Sequence, residues 1–242
     1  MTITTLGRST AHSVGWLFSD AFHHEPLTGW IVPDPVARPA LMARFFALVA
    51  AQALRDGLID LTDEGAGGDI GDVEQPWAGS EPDGVQQGQT VGASLWFEYA
   101  DPALAGPTIP GSAIPAPSGR PDPDLDAQVV DALGAPAAAR WRTAMSAMGE
   151  RHPAQAHHYL ALVGVAGARQ GQGIGGRLLR HRLHLLDAAL AGAYLEATSP
   201  ASRSLYLGWG FHDLGRPLDL PVGGPRIWPM FRDPYPHGHP RP

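Results

Sequence analysis

A single mixed α/β domain is what the sequence predicts, on three observations. Amphipathic helical segments alternate with short apolar, strand-like runs. In 242 residues, 44% are hydrophobic, enough to bury a core. Two composition-biased stretches interrupt this pattern and read as insertions, not domain linkers.

Taken in order, Thr2 to Thr5 reads as a short edge strand and His12 to Phe22 as the first helix, closed by Pro26. From Val36 to Leu54 the spacing places Leu41, Phe45, Leu48 and Val49 on one face, which predicts a second amphipathic helix. Leu58 to Leu61 reads as a strand. Asp63 to Gln89 carries seven glycines, seven acidic residues and no basic one, the composition of a solvated loop. Thr90 to Tyr99, rich in β-branched and aromatic residues, predicts a central strand. Asp101 to Pro123 holds seven prolines and is expected to be irregular. Leu125 to Met148 then recurs at helical spacing, with a break at Gly134 and Pro136.

His158 to Val165 is nearly all apolar, as expected of a strand covered on both faces. Beyond a glycine-rich loop, Ile174 to Leu186 traces a helix, Ala193 to Ala197 a strand and Ser202 to Trp209 a short helix. Phe211 to Leu214 and Arg226 to Phe231 read as closing strands. The domain is thus expected over residues 1–233, with insertions at about 63–89 and 101–123 and a disordered tail over 234–242.

Charge narrows the function. With 24 acidic residues against 17 basic, the formal charge is −7, which argues against nucleic acid or an anionic membrane as partner and favours an amine-bearing small molecule. The absence of cysteine removes disulfides, thiolate metal sites and a Cys nucleophile. No basic, apolar leader and no run of about 18 apolar residues is present, so a cytoplasmic protein is expected. Its oligomeric state, monomer or homodimer, is left open.

The loop Arg169-Gln170-Gly171-Gln172-Gly173-Ile174-Gly175-Gly176 joins a strand to a helix. Such a turn presents backbone N–H groups and the positive end of a helix dipole, a cradle suited to a pyrophosphate. Gly173 and Gly175 lack the Cβ atoms that would block a phosphate, and Gly171 supports the turn. Gly171, Gly173 and Gly176 also spell the dinucleotide fingerprint G-x-G-x-x-G, with Glu196 at the ribose position. That fold needs several further βα units, and only residues 177–242 remain. No Gly-Lys-Ser/Thr follows, so a nucleotide triphosphatase is excluded.

Gln170, Gly173 and Gly175 also satisfy the Q/R-x-x-G-x-G/A pattern of the GNAT acetyltransferases, and from Tyr159 onward the chain resembles that superfamily. LALVGVAGARQGQGIGGRLL, YLEATSPASRSLYLGWGF and LPVGGPRIWPMFRDP carry the likeness, which is nearest to the branch containing puromycin N-acetyltransferase. Weaker likeness lies at Phe22 to Pro26 and around Ala93 to Trp96. The resemblance implies a GNAT fold and an enzyme moving acetyl from acetyl-CoA to a primary amine of a small molecule in a ternary complex. It implies that Val163 and Val165 run beside the pantetheine arm, that Gln170, Gly171, Gln172, Gly173, Ile174, Gly175 and Gly176 hold the diphosphate, and that Ser202 touches the cofactor where an asparagine is common.

Acyl transfer to an amine needs a neutral amine and a protonated leaving thiolate. The resemblance assigns the thiol's proton donor to Tyr206, against the alternative of a packing tyrosine. Glu196, set in an apolar strand, needs a partner or a task; the resemblance implies that it helps take the amine proton, against the alternative of half of a buried ion pair. Trp96 is a candidate for the acceptor pocket, with a core role as the alternative. His23-His24 and His157-His158 are adjacent pairs whose members point apart, and with His237 and His239 of the tail they are assigned no metal. The rivals are a coenzyme A-binding sensor without catalysis and a dinucleotide-binding module.

Overall fold

The computed structural model describes residues 8–63, 90–99 and 124–235. The expected strand at Thr2 to Thr5, nearly all of both insertions and the tail beyond Tyr235 lie outside the described residues. The elements run α1 (Arg8–Ala21), α2 (Pro26–Ile31), α3 (Arg38–Asp56), β1 (Leu58–Asp63), β2 (Thr90–Tyr99), α4 (Leu125–Leu133) and α5 (Ala135–Gly149). They continue with β3 (His157–Val165), a 3₁₀ turn at Gly167–Arg169, α6 (Ile174–Ala188), β4 (Ala193–Ala197) and α7 (Pro200–Leu207). The short β5 (His212–Asp213) and β6 (Leu218–Asp219) precede β7 (Arg226–Arg232).

The strands form one mixed sheet in the order β1-β2-β3-β4-β7-β5, with β6 also against β7. All pairings are antiparallel except β3 with β4. One core cluster joins α1, α3, α4 and α5 to residues such as Leu95 and Phe97; a second gathers Leu179 and Leu183 of α6 and Tyr206 of α7 around Trp96 and Leu195. Gly15 permits α1 to lie directly on α3, since a Cβ there would stand 2.5 Å from the Ala43 carbonyl oxygen.

Two differences from expectation matter for the site. Pro26 does not merely end the first helix: it opens α2 at its first turn, where its missing N–H costs nothing, and Glu25 caps that helix by accepting the Leu27 N–H at 2.8 Å. Nor is β3 covered throughout, for Ala161, Leu162, Val163 and Val165 are only half-buried. The end of the chain also stays attached further than expected. The Tyr235 N–H donates to Asp187 at 2.8 Å, beside the buried Asp187–Arg232 ion pair at 2.7 Å.

Candidate active site

The site arises where β3 and β4 part. They pair only through His158↔Ala193 and Tyr159↔Tyr194. The register of β2 against β3 slips between Leu95 and Trp96, leaving Ala161 as an extra residue in β3, a bulge that bends the strand where the gap begins. From Leu160 to Val165 the edge of β3 facing β4 therefore has no strand partner, and an extended ligand can add there as a strand does.

This cleft belongs to a cavity of about 360 Å³. At one end it reaches Val163, Val165, Gln170, Gly175 and Gly176. Gly171 and Gly173 adopt φ of +75° and +74°, which other residues reach only with strain, so their role is to form the turn itself. Gly173 is the N-cap of α6, and Arg177 is the first residue to donate back into the helix, to the Gly173 carbonyl at 3.0 Å. The N–H groups of Ile174, Gly175 and Gly176 have no intrahelical acceptor. Ile174 turns its side chain into the core with Val91 and Leu178, so only its backbone can meet a ligand. A Cβ on Gly175 would sit 3.6 Å from Val165, an ordinary contact. The Gln170 amide donates to the Val165 carbonyl at 3.1 Å, fastening the loop to the end of β3. Gly171, Gln172 and Gly173 stand on the exposed rim.

Glu196 projects from β4 into the same cavity. Desolvation raises its carboxyl to about 7, partly offset by the Tyr194 and Tyr159 hydroxyls that face it. The buried Tyr194 hydroxyl lies near this carboxylate without reaching full hydrogen-bond geometry with any group among the described residues. Behind these rings stand Tyr99, His152 and His157; the His157 ring stacks on Tyr99 at 4.9 Å, and burial pushes His152 down to about 3. Among the described residues no ion pair to Glu196 is present, and what faces its carboxyl is the Tyr194 and Tyr159 hydroxyls.

Tyr206 is buried on α7, its ring edge against Phe211, and lines the cavity. Burial, then the Glu25 carboxylate, pushes its hydroxyl well above the usual tyrosine range, so it stays protonated. Glu25 is the site residue that reading the sequence missed. It lines the cavity, accepts the Thr198 hydroxyl at 2.5 Å, and is raised by desolvation against that bond. The available signal was the acid directly before Pro26, an N-cap position.

One expected contact, that of Trp96, is corrected, and the side chain of Ser202 has a further role. Trp96 is fully buried and does not line the cavity; its indole N–H donates at 3.0 Å to Ser94, which donates at 3.0 Å to Asp60, itself paired with Arg182. It is a core residue. Ser202 lines the cavity, but its hydroxyl and N–H form a capping box with Ser199 at the start of α7. Its side chain is committed to the helix. Among the described residues no helix is long and apolar enough to cross a membrane.

No family model matches the chain, and no curated protein matches it in sequence. Solved structures do. The chain is similar to a protein described as histone acetyltransferase HPA2 and related acetyltransferase from Corynebacterium glutamicum ATCC 13032, with TM-score 0.61, 22% identity and 98% of each chain covered. It is also similar to arylalkylamine N-acetyltransferase 2 from Aedes aegypti, with TM-score 0.55 and 9% identity over 96% of this chain and 98% of that one. At such identities the fold is what is shared, and the chain has the same mixed-sheet α/β fold as these two acetyltransferases.

Proposed function

We propose that the protein is an acetyl-CoA-dependent N-acetyltransferase acting on a primary amine of a small molecule, and that residues 1–233 form its one domain. The observation that carries this reading is the convergence on one cavity of an unpaired strand edge, a glycine-rich helix N-terminus, two raised carboxyls and a buried tyrosine. The enzymatic activity named for the two structural relatives agrees with it. The branch suggested by the sequence, that of puromycin N-acetyltransferase, fits a small-molecule acceptor.

The residues present fit coenzyme A: the N–H groups at the start of α6 match a diphosphate, and the free edge of β3 at Val163 and Val165 matches the amide-bearing pantetheine arm. When bound, acetyl-CoA supplies an acetyl thioester. The chain's own groups do the rest. Glu25 and Glu196 attract an ammonium, and Glu196, half ionised near pH 7, takes its one proton. Tyr206 holds a hydroxyl proton in the same cavity, available to the sulfur that leaves. The ring cluster behind Glu196 keeps bulk water from that side. A coenzyme A sensor without catalysis would leave this convergence of acid and base groups unexplained.

Titration with coenzyme A and with NADH, followed by thiol release from acetyl-CoA over a panel of amines, tests the proposal. Coenzyme A binding with amine-dependent thiol release supports it. Preference for NADH, or release indifferent to every amine, overturns it.

A further inference from the structure

We infer that the acceptor is an apolar monoamine, a single ammonium on an aryl or alkyl body with no second charge. This deepens the proposed acetyl transfer and rests on it for the chemistry. The binding argument comes from the cavity wall. Beyond Glu25 the cavity is closed by Met42, Phe45 and Phe46 of α3 and by Trp141, Met145 and Met148 of α5, all less than a tenth exposed. Among the described residues no Arg or His lines it, and its carboxylates are those of Glu25 and Glu196.

Each acceptor class meets this wall differently. One ammonium beside Glu25 and Glu196 finds opposite charge, and an apolar body beyond it finds rings and thioethers. A carboxylate on the acceptor, as in an amino acid, would lose its water beside two acidic groups, with no cation among the described lining residues to replace it. With the first ammonium held between Glu25 and Glu196, the distal ammonium of a polyamine would lie among Phe and Met side chains. Three unbranched methionines in one wall also adapt to bodies of different shape, so selection falls on charge more than on outline.

The test compares 2-phenylethylamine, phenylalanine and spermidine, each titrated calorimetrically into the protein with coenzyme A and each assayed for thiol release from acetyl-CoA. The expected kcat/KM for 2-phenylethylamine exceeds the other two by at least about 100-fold, because their extra charge is left unpaired. Met145→Gln, close to isosteric, should weaken 2-phenylethylamine binding by about tenfold with coenzyme A affinity unchanged. Met148→Gln serves if that variant does not fold. Phenylalanine or spermidine accepted as well as 2-phenylethylamine, or no effect of either substitution, overturns the inference and leaves acetyl transfer standing. Selective 2-phenylethylamine binding without thiol release from any amine supports the acceptor assignment and overturns acetyl transfer.

Discussion

The Glu25 carboxylate accepts the Thr198 hydroxyl at 2.5 Å, which fastens the cap of α2 to the residue that follows β4. Helices from the first part of the chain are thereby held against the cleft formed by its last third. Glu25→Gln keeps the shape and an accepting oxygen but no charge. Its stability should fall by no more than about 1 kcal/mol, the scale of a cap, while turnover falls on the order of 10²-fold. Paired melting and steady-state measurements check this. A purely structural Glu25 would show the opposite pattern.

Glu196 predicts a pH dependence with a definite sign. Burial raises its carboxyl from 4.5 to about 7, so the folded protein holds a proton there that the unfolded chain has lost. The stabilisation is complete below pH 4.5 and disappears as pH rises through about 7. Glu196→Gln should abolish this part of the stability profile, seen as a gain in melting temperature over wild type at pH 8 that is absent at pH 4. In turnover, the variant's deficit should shrink at high pH, where more of the amine is already neutral. Superimposable wild-type and variant profiles would contradict the assignment.

Gly173 separates backbone strain from ligand exclusion. A Cβ there has open space, its nearest neighbour being Arg177 at 3.9 Å, but φ is +74°. Gly173→Ala should therefore cost about 1 kcal/mol of stability through conformation alone. Gly173→Glu adds a negative charge at the start of α6 and should abolish coenzyme A binding in a folded protein. Calorimetry on both variants decides it; unchanged affinity in the glutamate variant would refute the cradle.

Trp96 now belongs to the core. Trp96→Phe removes the bond to Ser94 and part of a buried ring, with an expected loss of roughly 1–3 kcal/mol and no change in acceptor preference. A shifted preference among amines, measured at matched folded fraction, would return it to the pocket.

The glycine loop was readable in sequence because backbone conformation is encoded locally: positive φ at Gly171 and Gly173 demands glycine. Long periodic segments such as α3 and α6 were legible through their apolar spacing. Four features were not, three of them because they depend on distant partners. Glu25 acquires its place in the cavity only through Thr198, far along the chain. Ser202 resembles a ligand in sequence yet is consumed by Ser199. Trp96 lies on a strand buried on both sides, where alternation cannot say which face holds a ligand, and the Asp60–Arg182 network decides the matter. The β3–β4 gap has no local signature, since it is a relation between two strands.

The central claim, that acid and base groups in this cavity carry acetyl transfer, is tested most directly at Tyr206. Tyr206→Phe retains the ring against Phe211 and deletes only the hydroxyl. Steady-state thiol release from acetyl-CoA with an accepted amine should fall by about 10²–10⁴, with coenzyme A affinity and melting temperature close to wild type. Turnover equal to wild type in a folded Tyr206→Phe protein would contradict the account.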